Sequence, residues 1–363
     1  PVFMQHLKDE ALPLRKVEAG KARLFMGGPF GWSICVRMAL LPFVRVMQYN
    51  KYLFECAPGT NATSIEWTRI YQYVTKHGVD RLIAGDFEAF DKNMGALVIM
   101  EAFRIIRMLM TWSGAPEELL NAVQVIAEDV AFAFCNFNGD LMRFFGSNPS
   151  GHPLTVIINC LVNSLYMRYC YHELNPEKEV ESFQQNVSLI TYGDDNTAGS
   201  GVDWFNHTAI AHVLAGVGIG YTMADKLAES VPFIHISGVS FLKRTFRWEP
   251  ELNAYMANLD VKSIWKSLMI CIPSKTESPQ KQTVDIVRSA VAEWFFHGRV
   301  VFEKQSQYLK FLLERADLLC YVEDGVFPTW EELKERFVEA SINYLENEPE
   351  TTKVILGSYT WSI

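Results

Sequence analysis

The sequence predicts an α+β fold: a small antiparallel sheet backed by helices, followed by a separate helical end. The stretch Leu189-Ile-Thr-Tyr-Gly-Asp-Asp-Asn196 runs from a short apolar strand through a tight turn into a return strand, with two carboxylates at its tip. Residues Leu82-Ile-Ala-Gly-Asp86 read as a second buried strand that ends in an aspartate. Beyond about Asp260 the apolar spacing becomes helical, over 261–270, 283–296, 307–319 and 329–344. Strands gathered before a helical end point to α+β rather than to strictly alternating units.

Taken in order, residues 1–51 are basic and loop-rich, punctuated by Gly20, Gly27, Gly28, Pro29 and Gly31, with eight Lys/Arg against three acids. Lys8, Arg15, Lys16, Lys21 and Arg23 interleave with Leu12, Leu14, Val17, Leu24 and Phe25. That pattern suits an extended ribbon with cations on one side, which meets phosphates; an ordinary solvated strand has the same pattern. The strand through Asp86 is expected to continue over 87–90, with Asp91 next and Asn93 capping a helix to about Met110. A second helix opens at Pro116 and runs to about Asp129. Asn138-Gly139 supplies the positive φ angles of a tight turn between strands over 131–137 and 140–145. The polar loop 146–151 feeds a long helix from about Pro153 to Tyr171. After the acidic hairpin, Asp203 is expected to cap a helix to about Val217. Strands over 218–223 and 240–247 follow, with Lys226 in the loop between them.

Composition narrows the function. With 363 residues, 49% of them hydrophobic, the chain can bury a large core and divide into two or three parts. The net charge of −9 weighs mildly against nucleic acid, although the first fifty residues are locally basic. Seven scattered cysteines without a Cys-x-x-Cys pair argue against a zinc site or disulfide framework and for a reducing compartment. His207 and His212 are read as structural. No uninterrupted apolar run approaches the roughly 18 to 20 residues of a membrane span. The start at Pro1, within an already functional-looking segment, suggests a chain cut from a longer one.

Two adjacent aspartates repel each other, so a fold that holds them together usually has a cation to bind. Alone, Tyr192-Gly193-Asp194-Asp195 also describes a solvated hairpin turn. If the strand ending at Asp86 lies beside it, then Asp86, Asp194 and Asp195 converge at one sheet edge. Such hard oxygen ligands suit Mg²⁺ or Mn²⁺, and two ions about 3.5 to 4 Å apart can activate an attacking hydroxyl and stabilise a leaving phosphate oxygen. Taken singly, Asp86 also suits a residue capping the following helix. Asp91, Thr155 and Asn159 could bond a ribose 2′-hydroxyl; a polar helix face satisfied by backbone is the plainer reading of the last two. The cations Lys8, Arg15, Lys16, Lys21 and Arg23 could hold a triphosphate.

These pieces occur in a familiar order. Asp86-x-x-x-x-Asp91, Ser150-Gly151-x-x-x-Thr155-x-x-x-Asn159 and Tyr192-Gly193-Asp194-Asp195 resemble palm motifs A, B and C of viral RNA-dependent RNA polymerases of the picornavirus-like superfamily. Lys8-Asp9-Glu10 through Gly20-Lys21-Ala22-Arg23 resembles the basic motif F. Met223-Ala-Asp-Lys226 resembles the end of motif D, and Phe241-Leu-Lys-Arg244 resembles motif E.

The resemblance implies a right-hand polymerase palm at 81–115 and 146–250, partial fingers at 1–80 with an insertion at 116–145, and a helical thumb at 251–363. It implies two Mg²⁺ or Mn²⁺ ions on Asp86, Asp194 and Asp195, with Lys226 as proton donor to the leaving pyrophosphate; a plain exposed lysine is the other reading of Lys226. Asp91, Thr155 and Asn159 would select ribose, and Ser150 and Gly151 would form a mobile loop beside the template and nascent pair. Lys8, Lys16, Lys21 and Arg23 would face the incoming nucleotide, and Lys243 and Arg244 the primer. Implied partners are template and primer RNA, nucleoside triphosphates, a small genome-linked protein primer and other viral replication proteins. The implied setting is host cytoplasm at membrane-associated replication complexes, with no membrane span in this chain.

Two departures stand out: Leu12, where many relatives carry arginine, and His152-Pro153, an uncommon continuation of motif B. A reverse transcriptase is the near alternative, disfavoured because Asp91 and Asn159 invite a 2′-hydroxyl where a DNA-making enzyme would block it. A non-catalytic RNA-binding replication subunit is the distant one, disfavoured because three clustered carboxylates would repel RNA.

Overall fold

The computed structural model describes residues 1–224 and 228–362, which form two compact units. The first comprises Pro1–Gly59 and Arg81–Ile234, the second Thr60–Asp80 and the chain from His235 onward.

In the first unit the strands are Val2–Leu7 (β1), Leu24–Gly27 (β2), Leu82–Phe87 (β3), Phe134–Phe137 (β4), Asp140–Arg143 (β5), Val187–Tyr192 (β6), Asp195–Ser200 (β7) and Tyr221–Met223 (β8). They make two sheets of order β2-β1-β4-β5 and β6-β7-β3-β8. The second sheet is antiparallel throughout, as the sequence predicts. Its central strand β3 buries Leu82, Ile83, Ala84 and Phe87, and helices Ala96–Trp112, Glu117–Ala131 and Thr155–Leu174 share its core. Asn138 (φ 52°) and Gly139 (φ 103°) make the expected primed turn between β4 and β5.

Several local expectations fail for identifiable reasons. Residues 30–49 form a twenty-residue helix rather than loop, because Pro29 starts it and Val36, Leu40, Phe43, Val44 and Met47 recur at helical spacing into the core. Pro42 lies inside it, between the exposed Met38 and the core-facing Phe43. By length and composition this helix is apolar enough to cross a membrane. Arg37 and Arg45 interrupt it, so a search for an uninterrupted apolar run overlooks it. Its buried row is what a core helix also shows. Asn93 is not a cap: its amide donates to the Glu88 carbonyl at 3.0 Å, and Gly95 precedes the helix from Ala96. Asp203 pairs with Arg81 at 2.8 Å, leaving Asn206 to accept from the Ala209 N–H and cap His207–Gly216.

The second unit contains the hairpin Arg244–Glu249 (β9) and Ala254–Leu259 (β10). Helices Val261–Leu268, Pro279–Phe295, Arg299–Arg315 and Trp330–Glu346 follow, and Thr329 with Glu332 closes a capping box on the last. Trp294, Phe295, Leu309, Trp330 and Phe337 fill its core. A helix the sequence did not announce, Glu66–Val74, docks here: Thr68 accepts from the Tyr255 N–H at 2.9 Å, and buried Arg69 pairs with Glu348 at 2.7 Å.

The strand expected at 240–247 begins only at Arg244. Leu242 and Lys243 both adopt left-handed φ in a turn closed by reciprocal Phe241–Arg244 bonds of 2.9 Å.

Candidate active site

The acidic turn is built by its neighbours. Tyr192 pairs with Asp195 across β6–β7, and Gly193 between them takes a φ of +68°, where a side chain would be strained. On β7's other side Asn196 faces Gly85 of β3, and Asp86 faces Thr222 of β8. Asp86 therefore lies one residue beyond the rung that Asn196 occupies, at the edge that carries the turn.

The long helix grips that turn from below. Asn163 donates to the carbonyls of Gly193 (3.1 Å) and Asp194 (3.3 Å), and the Gly193 N–H donates to Cys160 Sγ at 3.2 Å. Asn196 donates to Asn163 Oδ1 at 3.3 Å and accepts from the Tyr221 hydroxyl at 2.8 Å. The sequence reading did not single out Asn163, although it lies one helical turn after Asn159 on the same face. Asn196 and Tyr221 had no local signal, because only strand pairing brings them together.

Partial desolvation, then the nearby carboxylates of Asp91 and Asp86, hold the Asp194 carboxyl above its ordinary range. Solvent at this exposed tip screens part of the repulsion. Among the described residues, no group of three or more His, Cys, Asp or Glu side chains is gathered closely enough to hold a metal ion unaided. The donor set still fits a hard cation: Mg²⁺ needs only one or two protein carboxylates and completes its shell with water and substrate oxygens. Like-charge crowding of Asp194 by two other carboxylates is the condition such an ion relieves.

Asp91 stands on a single helical turn, Phe90–Asn93, because Ala89 turns left-handed (φ 49°) and ends the strand earlier than the sequence suggested. There it accepts from Asn159 Nδ2 at 2.6 Å. Thr155 opens the long helix. Its hydroxyl bonds the carbonyls of Pro149 (2.9 Å) and His152 (3.0 Å), so it ties the loop to the helix start.

Where the resemblance implies a mobile loop, Gly151 is tied down: it bridges Gly27, and its carbonyl accepts from the Gly28 N–H at 3.0 Å. A Cβ there would stand 2.5 Å from the Met26 carbonyl oxygen, so only glycine permits the approach. Ser150, just before it, is partly exposed.

The basic segment is less regular than a ribbon. Lys8 and Arg23 join β1 to β2 through a 2.9 Å backbone bond, and a short helix, Leu14–Glu18, carries Arg15 and Lys16. Lys16 and Lys21 are exposed, Lys8 is half-buried, and Arg23 is paired with Glu10 at 3.1 Å. Arg244, expected near the primer, is held by groups of its own unit. Its guanidinium grips both Glu293 oxygens (2.7 and 2.9 Å) and the Ala257 carbonyl (2.7 Å), which makes it a clamp inside the second unit. Lys243 is exposed on its turn. Lys226 lies outside the described residues.

A family model described as viral RNA-dependent RNA polymerase matches residues 1–313. The replicase polyprotein of Cricket paralysis virus is 32% identical over 319 residues, covering 84% of this chain and 18% of that polyprotein. The RNA1 polyprotein of Cowpea mosaic virus is 28% identical over 338 residues, covering 90% of this chain and 18% of that polyprotein. The chain thus spans less than a fifth of these relatives. In fold it is similar to a solved Sicinivirus 3Dpol RNA-dependent RNA polymerase, with a TM-score of 0.76 at 20% identity over 94% of this chain and 68% of that one. With an antiparallel sheet carrying its acidic turn and a family match over most of its length, the chain belongs to the viral RNA-dependent RNA polymerase family, in its picornavirus-like branch.

Proposed function

We propose that this chain carries out template-directed RNA synthesis by two-metal nucleotidyl transfer, in replication of a positive-strand RNA genome. The observation that carries the reading is the meeting of two chemistries at one edge. Asp194 is crowded by Asp86 and Asp91, and Asp91 is bonded in turn to Asn159. A cation site and a hydroxyl-reading pair are therefore joined through one carboxylate, as a ribonucleotide with its triphosphate requires.

In this reading Asp86 and Asp194, assisted by Asp195, hold Mg²⁺ or Mn²⁺. Bound there, the ions supply charge neutralisation at the phosphates and a more acidic primer hydroxyl. Asn159 has a second amide N–H to offer a 2′-hydroxyl while its first stays on Asp91. A site that bonds a hydroxyl rejects the analogue lacking it, because its polar groups are then left unpaired. Lys8, Lys16 and Lys21 take the triphosphate oxygens, and Arg23 joins them by exchanging Glu10 for phosphate. Lys226 is assigned the proton delivered to pyrophosphate, and Lys243 a primer phosphate. Palm residues are 81–115 and 146–250, with fingers before and between them and a thumb from 251. Template and primer RNA are the macromolecular partners. A genome-linked protein primer, other viral replication proteins and a setting at cytoplasmic membrane-associated complexes complete the proposal.

The test is incorporation of ribo- and deoxynucleotides on an RNA template by the full-length natural protein that carries this sequence, with Mg²⁺ or Mn²⁺. Ribonucleotides should be preferred, and Asp194→Ala should lower incorporation by roughly a thousandfold or more. A preference for deoxynucleotides would favour a reverse transcriptase. Equal incorporation by variant and parent would remove Asp194 from the reaction, and RNA binding with no incorporation by either would favour a non-catalytic subunit.

A further inference from the structure

One chain of hydrogen bonds runs from the motif B loop to Asp91, and its direction is fixed at both ends. The Leu154 backbone N–H can only donate, and it donates to His152 Nδ1 at 3.2 Å. The proton of the neutral ring must then sit on Nε2, which lies 2.8 Å from Asn148 Oδ1 and so donates to it. The Asn148 amide is anchored a second time: its Nδ2 lies 3.3 Å from the Thr155 carbonyl, which can only accept. The same Nδ2 donates to Asn159 Oδ1 at 2.7 Å. Asn159 therefore presents its own Nδ2 to Asp91 at 2.6 Å. No amide in the chain can flip without placing like against like.

The environment keeps this relay in one state. Burial drives the His152 imidazole down to about 3, so it stays neutral throughout the working pH range. The edge of Trp32 closes over it at 6.1 Å, and Trp32 is held in turn by a 2.9 Å bond to Asp129. Asn148 is fully buried and Asn159 nearly so. Three consecutive side-chain bonds in so dry a setting are costly to leave half made, which makes the orientation of the last member dependent on the first.

We propose that Asn148 and His152 are positioning residues for sugar selection: together they set which end of the Asn159 amide faces Asp91 and the incoming ribose. The proposal rests on the reading of Asn159 as the ribose selector. It also gives the uncommon histidine of this motif B a role: the loop supplies a fixed donor where a smaller or apolar residue would supply none.

The sharpest variant is Asn148→Asp, nearly the same shape with the wrong polarity. The new carboxylate still accepts from His152 but can no longer donate to Asn159 Oδ1, so Asn159 is drawn to turn its Nδ2 away from Asp91. His152→Phe, which keeps a ring and removes both nitrogens, is the companion variant. In the full-length natural protein, the specificity constant for a ribonucleotide relative to its 2′-deoxy analogue should fall roughly tenfold in Asn148→Asp. The loss should come from the ribonucleotide, with deoxynucleotide incorporation unchanged, which also reports an intact fold. Asn148→Asp added to Asn159→Ala should cost nothing further, because its effect passes through Asn159.

Preserved discrimination in both Asn148→Asp and His152→Phe, equal losses for both sugars, or multiplying losses in the double variant would each overturn the relay. If Asn159→Ala alone destroys discrimination while Asn148→Asp preserves it, the relay falls and the ribose reading stands. If Asn159→Ala itself leaves discrimination intact, both fall together.

Discussion

The motif B loop and the basic N-terminal segment serve the same proposed substrate, yet they are built in opposite ways. In the loop most of the polar groups singled out are engaged before any ligand arrives: Thr155 with two carbonyls, Gly151 with β2, and Asn148, Asn159 and Asp91 with one another. In the basic segment, Lys16 and Lys21 stand in solvent, and exposed Arg23 is paired with half-buried Glu10. The contrast follows from what each must recognise. A single hydroxyl is distinguished by geometry, which requires rigid, satisfied partners. A triphosphate is attracted by charge, which long exposed side chains supply without being preorganised.

The comparison breaks most severely at Gly151. Gly151→Ala drives a Cβ to 2.5 Å from the Met26 oxygen and 2.9 Å from Gly27 Cα, both backbone atoms that cannot swing aside. It should cost about 1–3 kcal/mol of stability, read by urea denaturation, with synthesis falling alongside. A variant as stable as the parent would mean that the loop is not fixed at this point.

The basic segment should respond differently. Lys16→Ala and Lys21→Ala should leave stability within about 0.5 kcal/mol. Each should raise the KM for nucleoside triphosphate roughly severalfold at low salt, and the effect should shrink as salt screens it. A stability loss comparable to that of Gly151→Ala would erase the distinction between the two regions.

The same contrast explains what could be read from the sequence. The strand through Asp86, the acidic hairpin, the helix carrying Asn159 and the antiparallel sheet were legible because their apolar spacing follows strand and helix periods. The Asn138-Gly139 turn was legible because it needs positive φ. The helix over 30–49 was hidden by the Gly and Pro residues around its start and by Pro42 within it, although its apolar row is regular. The intramolecular partners of Arg244 and Thr155 were not legible. Glu293 lies 49 residues from Arg244, and the Pro149 carbonyl offers no side-chain signal. Asn163 and Tyr221 meet the acidic turn only through tertiary packing, and Asn148 reaches Asn159 and His152 through the fold of the loop, so their roles were not read from the sequence. Periodicity thus located the strands of the acidic edge and motif resemblance implied that they meet, while the bonds that orient it emerged only in three dimensions.

The central claim is that the acidic edge is a cation site, and it makes a direct thermodynamic prediction. The Asp194 carboxyl is raised, chiefly by desolvation and then by Asp91 and Asp86, so the folded chain binds its proton more tightly than the unfolded chain does. Without a divalent ion, the associated stability is fully present below the ordinary carboxylate pKa and is lost as pH rises through the raised one. At neutral pH, therefore, the ion-free protein carries an uncompensated repulsion that Asp194→Asn should relieve.

The decisive measurement is the melting temperature of the full-length natural protein and of Asp194→Asn at neutral pH, titrated with Mn²⁺ or Mg²⁺. The account predicts a variant at least as stable as the parent without metal, and a parent that rises by a few degrees on saturation while the variant rises much less. A parent that does not respond to either ion, or a variant that responds equally, would contradict it.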